Sequence, residues 1–220
     1  MTFRSAADHP ASPLNHVGVA VKVIDEATAA LHVGLVYRLT DGVPRMAHLA
    51  FHHDLRDEAA PTGHGYAWAD CGWLQDPDYA SSGAFVARFI QGTLRRRDVR
   101  YGLNPDLDCY ATGRLVETDP RFGLTCATYI AAVLKGAGFD ILDIGTWVAR
   151  PGDEAWSRHV LGLLDRYAPA RAEELRGQVA PFRVRPDEMA AAVAGPSFPV
   201  TMEGVGDGAA EVLATLRAMG

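Results

Sequence analysis

Three residues in this chain have the types and settings that acyl-transfer chemistry needs: Cys126 in "LTCATYIAAVL", and His32 and His48 in "HVGLVYRLTDGVPRMAHLA". A thiol attacks a carbonyl as its thiolate. The start of a helix favours that anion, because its first N–H groups lack intrahelical partners and the helix dipole is positive there. Thr125 is suited to cap such a helix. Ile130, Val133, Leu134 and Ala137 recur as one apolar stripe, Cys126 lies on it, and Gly136 and Gly138 end it, so the spacing predicts a helix whose thiol points to the protein body. A histidine facing that thiol can hold the thiolate as an ion pair and later donate a proton to the leaving group, while a second polar side chain fixes its tautomer. The Cys126 backbone N–H can help stabilise an oxyanion.

The two histidines meet only if their strands pair in one register. Between Leu39 and Val43 stands "TDG". A three-residue loop of Thr40, Asp41 and Gly42, with Gly42 left-handed, pairs Leu39 with Val43 and sets His32 opposite Ala50 and His48 opposite Gly34. Both histidines then share a face as diagonal neighbours, roughly 7 Å apart along the backbone. A two-residue loop would send them to opposite faces.

The elements that must carry these residues read as strands "VGVAVKV", "ATAALHVGLVYRL", "VPRMAHLAFHHDL" and "GYAWADCGW", an antiparallel meander from Val17 to Trp73. Residues 74–121 read as a loop, a helix near 82–96 and an irregular connection that suits an active surface. In it, Tyr101 and Asn104 are candidates for the cleft or the oxyanion site, although "NPDLD" also has ordinary turn chemistry. Thr125 is a third such candidate. Asp70 is a reserve residue for orienting a histidine, with an edge-strand polar residue as the plainer reading. "DILDIGTWVA" reads as a further strand, and helices follow over 153–167, 169–179, 187–194 and 208–219.

With 220 residues, 48% of them hydrophobic, the chain can bury a core without disulfides or metal. Its three cysteines form no C-x-x-C pair, which excludes a disulfide framework or zinc ribbon and fits a reducing compartment. No pair among His52, His53, His64 and Cys71 has a recognised ligand spacing, so no metal and no cofactor is expected. The first residues contain no apolar signal core and no run reaches the length of a membrane span. The expectation is a cytoplasmic protein, with export by a dedicated secretion system left open. A net charge of -6 argues against nucleic-acid binding, and "LRRRDVR" at 94–100 reads as a cationic helix end.

The His-hydrophobic-Gly strand, Asp-Gly turn and second histidine strand resemble those of NlpC-like enzymes, and "LTCATYIAAVL" resembles their cysteine-bearing helix. Here the helix follows the histidine strands, an order similar to that of the circularly permuted papain-like group with its lecithin:retinol acyltransferase-like members. Thr125 stands where the family often has Asn or Asp, and the hairpin arms are longer than is usual. The resemblance implies Cys126 as nucleophile, His32 as base and His48 as the orienting residue. It also implies an α+β permuted papain-like fold: an antiparallel sheet packed on the cysteine-bearing helix, with a helical C-terminal segment able to roof the cleft. On this reading residues 1–220 form one domain, with a catalytic core over 14–150 and a mainly helical extension over 151–220. The expected activity is a cysteine hydrolase, a peptidase or amidase, acting on a peptide or other amide or ester. The alternatives are an acyltransferase or thioesterase on a lipid or small acyl substrate, and a catalytically silent binding protein in which Cys126 only packs.

Overall fold

Alternating β-branched residues build the sheet. In the computed structural model the strands are β1 (Arg4–Ser5), β2 (Val17–Asp25), β3 (Ala30–Tyr37), β4 (Arg45–Phe51), β5 (Asp54–Ala59) and β6 (Tyr66–Asp70). The structure describes the whole chain apart from residues 12, 27–29, 41, 64, 117–118, 179 and 220. All pairings are antiparallel, in the order β1-β6-β2-β3-β4-β5. The expected meander therefore holds from β2 to β5, whereas β6 returns to the far side of β2. Among the described residues six α-helices accompany the sheet: α1 (Gly83–Thr93), α2 (Cys126–Gly136), α3 (Asp153–Tyr167), α4 (Pro169–Leu175), α5 (Pro186–Ala194) and α6 (Gly206–Met219). The chain is α+β.

The pleat divides the side chains into two layers. Val19 and Val21, Val33 and Leu35, and Ala47 and Leu49 join Val86 of α1, Ile130 and Val133 of α2 and Met189 of α5 in the main core. Residues of the opposite parity, Ala20, Val36, Met46 and Trp68, form a smaller core closed by Ala6, Ala11 and Leu14 of the N-terminal segment. α5 is buried along its whole length because the sheet lies on one side of it and α6 on another. Residues 151–220 are thus divided between two jobs. α5 and α6 complete the main core, while α3 and α4 form a third cluster around Leu103, Leu164 and Leu175.

β3 and β4 pair as Leu35↔Ala47, Val36↔Met46 and Tyr37↔Arg45. This is the register that the three-residue loop demands; Asp41 of that loop lies outside the described residues. The expected single strand 43–55 is broken after Phe51 by a turn in which His53 is left-handed, with φ 55°, and β5 begins directly beyond it. "DILDIGTWVA" forms no strand. One bridge, Leu142↔Val200, is followed by a 3-10 turn at Ile144–Thr146, because no neighbouring strand offers a longer ladder.

Gly34 lies where β3 leaves β4, and a Cβ there would sit 2.8 Å from His48 Cβ and 3.0 Å from Met46 Cγ. The site leaves no room for a side chain. Gly34→Val is expected to destabilise the protein by about 1–3 kcal/mol in urea denaturation, the usual cost of overpacking. Unchanged stability would contradict the close approach.

Candidate functional site

α2 starts where the sequence places it. Thr125 is the N-cap: its hydroxyl accepts the Thr128 N–H at 3.2 Å, and the Thr125 N–H donates to Thr128 Oγ1 at 2.7 Å. A cap of this kind contributes about 1 kcal/mol. Thr125 is therefore occupied in holding the helix start. At the far end, Phe139 N–H bonds to Leu134 O and Gly138 N–H to Lys135 O, with Gly138 at φ 94°, so the glycine stop also forms as its sequence suggests.

The hairpin register brings the two histidines together. His32 Nε2 and His48 Nδ1 are 2.8 Å apart in a buried hydrogen bond. His48 Nε2 lies 3.4 Å from Glu58 Oε2 on β5, at ion-pair distance without an aligned hydrogen bond. Arg56 holds the other oxygen of Glu58 at 3.6 Å. The result is a row His32–His48–Glu58 across three strands. Sequence reading missed Glu58, because it ended the preceding strand at Leu55. The alternation Asp54, Arg56, Glu58 after the turn was the available signal, and Arg56 pairs directly with His48 in the ladder.

Both imidazoles belong to the face opposite the one on which α2 packs, since they share the parity of Val36 and Met46. Among the described residues no hydrogen bond joins Cys126 to either histidine. The β3–β4 ladder closes at Leu35↔Ala47, although both strands continue past it. Beyond that point the backbone N–H of Val33, the residue after His32, acts on the Cys126 sulfur. The influence of that sulfur reaches the histidine face as well. Burial pushes the Tyr66 phenol up to about 12, with Glu58 and Cys126 adding to the rise. Tyr66 and His32 are each paired with Lys22, so all three share one row.

Burial governs the charges. It holds the His32 imidazole at about 3, with His48, Lys22 and Arg56 acting in the same direction. It also lowers His48, against the pull of Glu58. It pushes the Cys126 thiol up, while the N–H groups of Val33 and Ala127 and the Arg183 charge oppose the rise. The resting site therefore holds a thiol and two neutral imidazoles. The ion pair expected from the helix dipole is absent because desolvation outweighs the dipole.

The remaining candidates separate. Tyr101 stays beside the thiol: its phenol is raised by burial and then by Cys126, its ring packs on Phe51 at 5.3 Å, and its N–H donates to His52 Nδ1 at 3.2 Å. The buried Arg171 of α4 fixes this segment by donating to the carbonyls of Tyr101, Pro120 and Phe122. Asn104 turns away, with its amide donating to Gln178 at 3.0 Å, so it does not serve an oxyanion. Asp70 pairs with Gly18, four positions along β2 from the Lys22 row, and with Arg4 at 3.6 Å. It is not placed to orient a histidine. Cys71 and Cys109 are core thiols. His64 lies outside the described residues. Among the described residues no three His, Cys, Asp or Glu side chains gather as metal ligands, and no helix is long and apolar enough to cross a membrane. A cavity of about 300 Å³ beside His53, Asp98 and Phe122 includes none of Cys126, His32 and His48. Comparison with family models, curated proteins and solved structures finds no match.

A histidine neutral in the native state and protonated in the unfolded chain makes stability depend on pH. Between the ordinary value of 6.5 and about 3 the unfolded chain binds a proton that native His32 does not, so stability falls as pH falls through that window. The slope for one such group is at most about 1.4 kcal/mol per pH unit. Urea denaturation from pH 7 to 4 is expected to show a shallower loss for His32→Gln than for wild type. Equal slopes would contradict a buried neutral imidazole.

Proposed function

We propose that the chain is a cysteine hydrolase, a peptidase or amidase, built on a permuted papain-like arrangement with Cys126 as nucleophile and His32 as base. The observation that carries this reading is the 2.8 Å His32–His48 hydrogen bond beside the split between β3 and β4, with Val33 N–H among the groups that oppose the rise of the Cys126 thiol. A side chain from the helix layer can reach the other face of a sheet only where the ladder is open. Catalytic hydrogen bonds are often long in the free enzyme and tighten with substrate bound.

The proton order follows from the row. Glu58 faces the His48 Nε2–H as a negative charge, His48 Nδ1 accepts from His32 Nε2–H, and the His32 Nδ1 lone pair is left as the basic position. His32 Nδ1 takes the Cys126 proton as sulfur bonds to the carbonyl carbon. The imidazolium returns that proton to the leaving amine or alkoxide as its bond to carbon breaks. Water, deprotonated by the same nitrogen, then cleaves the thioester. The amides of Cys126 and Ala127, at the start of α2, are the oxyanion donors on this reading. Because thiol and imidazole both rest neutral, the proton moves during attack rather than before it.

One observation favours a binding protein of the same fold: Cys126 is only 8% exposed. Turnover of fluorogenic amides and esters separates the two. Cys126→Ala and His32→Ala are expected to lose at least roughly 10²-fold in kcat/KM while remaining folded, with smaller losses for His48→Ala and Glu58→Gln. The wild-type profile is expected to stay flat from pH 7 down to about 5, since His32 protonates only near 3. Wild-type activity in Cys126→Ala would sink the mechanism.

A further inference from the structure

A guanidinium without a partner stands next to this site. Arg183 is half-buried, and its Cζ lies 4.5 Å from the centroid of the Trp156 ring. Among the described residues no carboxylate lies within ion-pair distance of it, and its N–H groups donate to no acceptor. Of the carboxylates that act on Arg183, Asp153 is engaged by Arg150, and Asp187 acts from beyond ion-pair distance. Arg150 pairs with Asp153 and Glu188, and it donates to the Arg183 carbonyl at 2.7 Å, which fixes the backbone that carries the free guanidinium. Burial lowers Arg183, with Arg185 adding to the fall and Asp153, Asp187 and Tyr101 opposing it.

Its position ties it to the reacting atoms. With Trp156 and Phe182 it encloses a cavity of about 10 Å³ whose opposite wall is Thr125 and Thr128, the capping pair of α2. That space holds about one water. Its charge acts on both the Cys126 thiol and the Tyr101 phenol. A planar guanidinium stacked on an indole, with its N–H edge unpaired, is preorganised for bidentate binding of a carboxylate.

We infer that Arg183, backed by Trp156, is a specificity residue that binds a carboxylate carried by the substrate beside the scissile carbonyl. The inference rests on the hydrolase reading, since it takes Cys126 as the point of attack. The substrate class narrows to acidic acyl compounds, such as peptides with a free or side-chain carboxylate adjoining the cleaved bond. Neutral acyl chains lack the group that would replace the lost hydration of Arg183.

Alkylation of the native full chain tests this without knowledge of the substrate. Iodoacetate and iodoacetamide each form a bond from sulfur to the CH2 carbon and release iodide, and they differ in carrying a carboxylate or an amide. Peptide mapping separates Cys126 from Cys71 and Cys109. The ratio of iodoacetate to iodoacetamide rates at Cys126 is expected to fall about tenfold in Arg183→Met, the size of one charge-assisted hydrogen bond, and to be largely kept in Arg183→Lys. Methionine keeps contact with Trp156, and the lysine variant serves if the methionine variant fails to fold. If Cys126 reacts with both reagents at a ratio unchanged in Arg183→Met, or, where that variant does not fold, at a wild-type ratio no greater than that of a free cysteine peptide, the carboxylate assignment falls and the hydrolase reading stands. If native Cys126 reacts with neither, the hydrolase reading falls and this inference with it.

Discussion

The parting of β3 from β4 at Gly34 and His48 is the constraint on which the site depends. While the strands are paired, the sheet separates the helix layer from the N-terminal segment, and a thiol on α2 has no route to an imidazole on the other face. Where the ladder stops, the Val33 N–H is among the groups that oppose the rise of the Cys126 thiol. The adjoining imidazole is held by a neighbour on the diverging strand. Gly34 permits the close approach of His48 at the last point of contact. The hydrogen bonds that the ladder gives up are thus partly replaced by the groups of the site.

The second determinant is exclusion of water. Trp156, Phe182 and Arg183 close over Thr125 and Thr128 at the head of α2, and the buried Arg171 ties the Tyr101 segment to α4 through three backbone carbonyls. Desolvation then decides the protonation states, since it disfavours thiolate and imidazolium alike. On the mechanism proposed above, the site rests neutral and develops charge only during reaction, with the amides at the start of α2 and the His48–Glu58 row as its stabilising groups. The same desolvation lowers Arg183, which packs on Trp156.

Local chemistry made part of this legible in the sequence. "TDG" and the alternation around it fixed the β3–β4 register and hence the shared face of His32 and His48, and Thr125 with the glycines bounded α2. Long-range packing was not legible. An apolar stripe shows that Cys126 points inward, yet it cannot say which face of the sheet α2 covers. The turn at His52 and His53 uses no glycine or proline, so β5 and Glu58 merged with the strand before them. The burial that overrides the helix dipole at Cys126 comes from the folded chain as a whole and carries no motif. Asp70 and Asn104 were plausible by type and were claimed by Arg4 and Gln178 through contacts that only the folded chain creates.

The central claim is that Cys126 attacks a carbonyl with His32 taking its proton. Acid-quenched mass spectrometry of the native chain after brief exposure to p-nitrophenyl acetate reads that step directly, since an acid quench preserves a thioester. The expected result is a single acetyl group mapped to Cys126, formed far more slowly in His32→Ala. Acetyl on Cys71, Cys109 or a lysine with none on Cys126, or equal rates in His32→Ala, would contradict it.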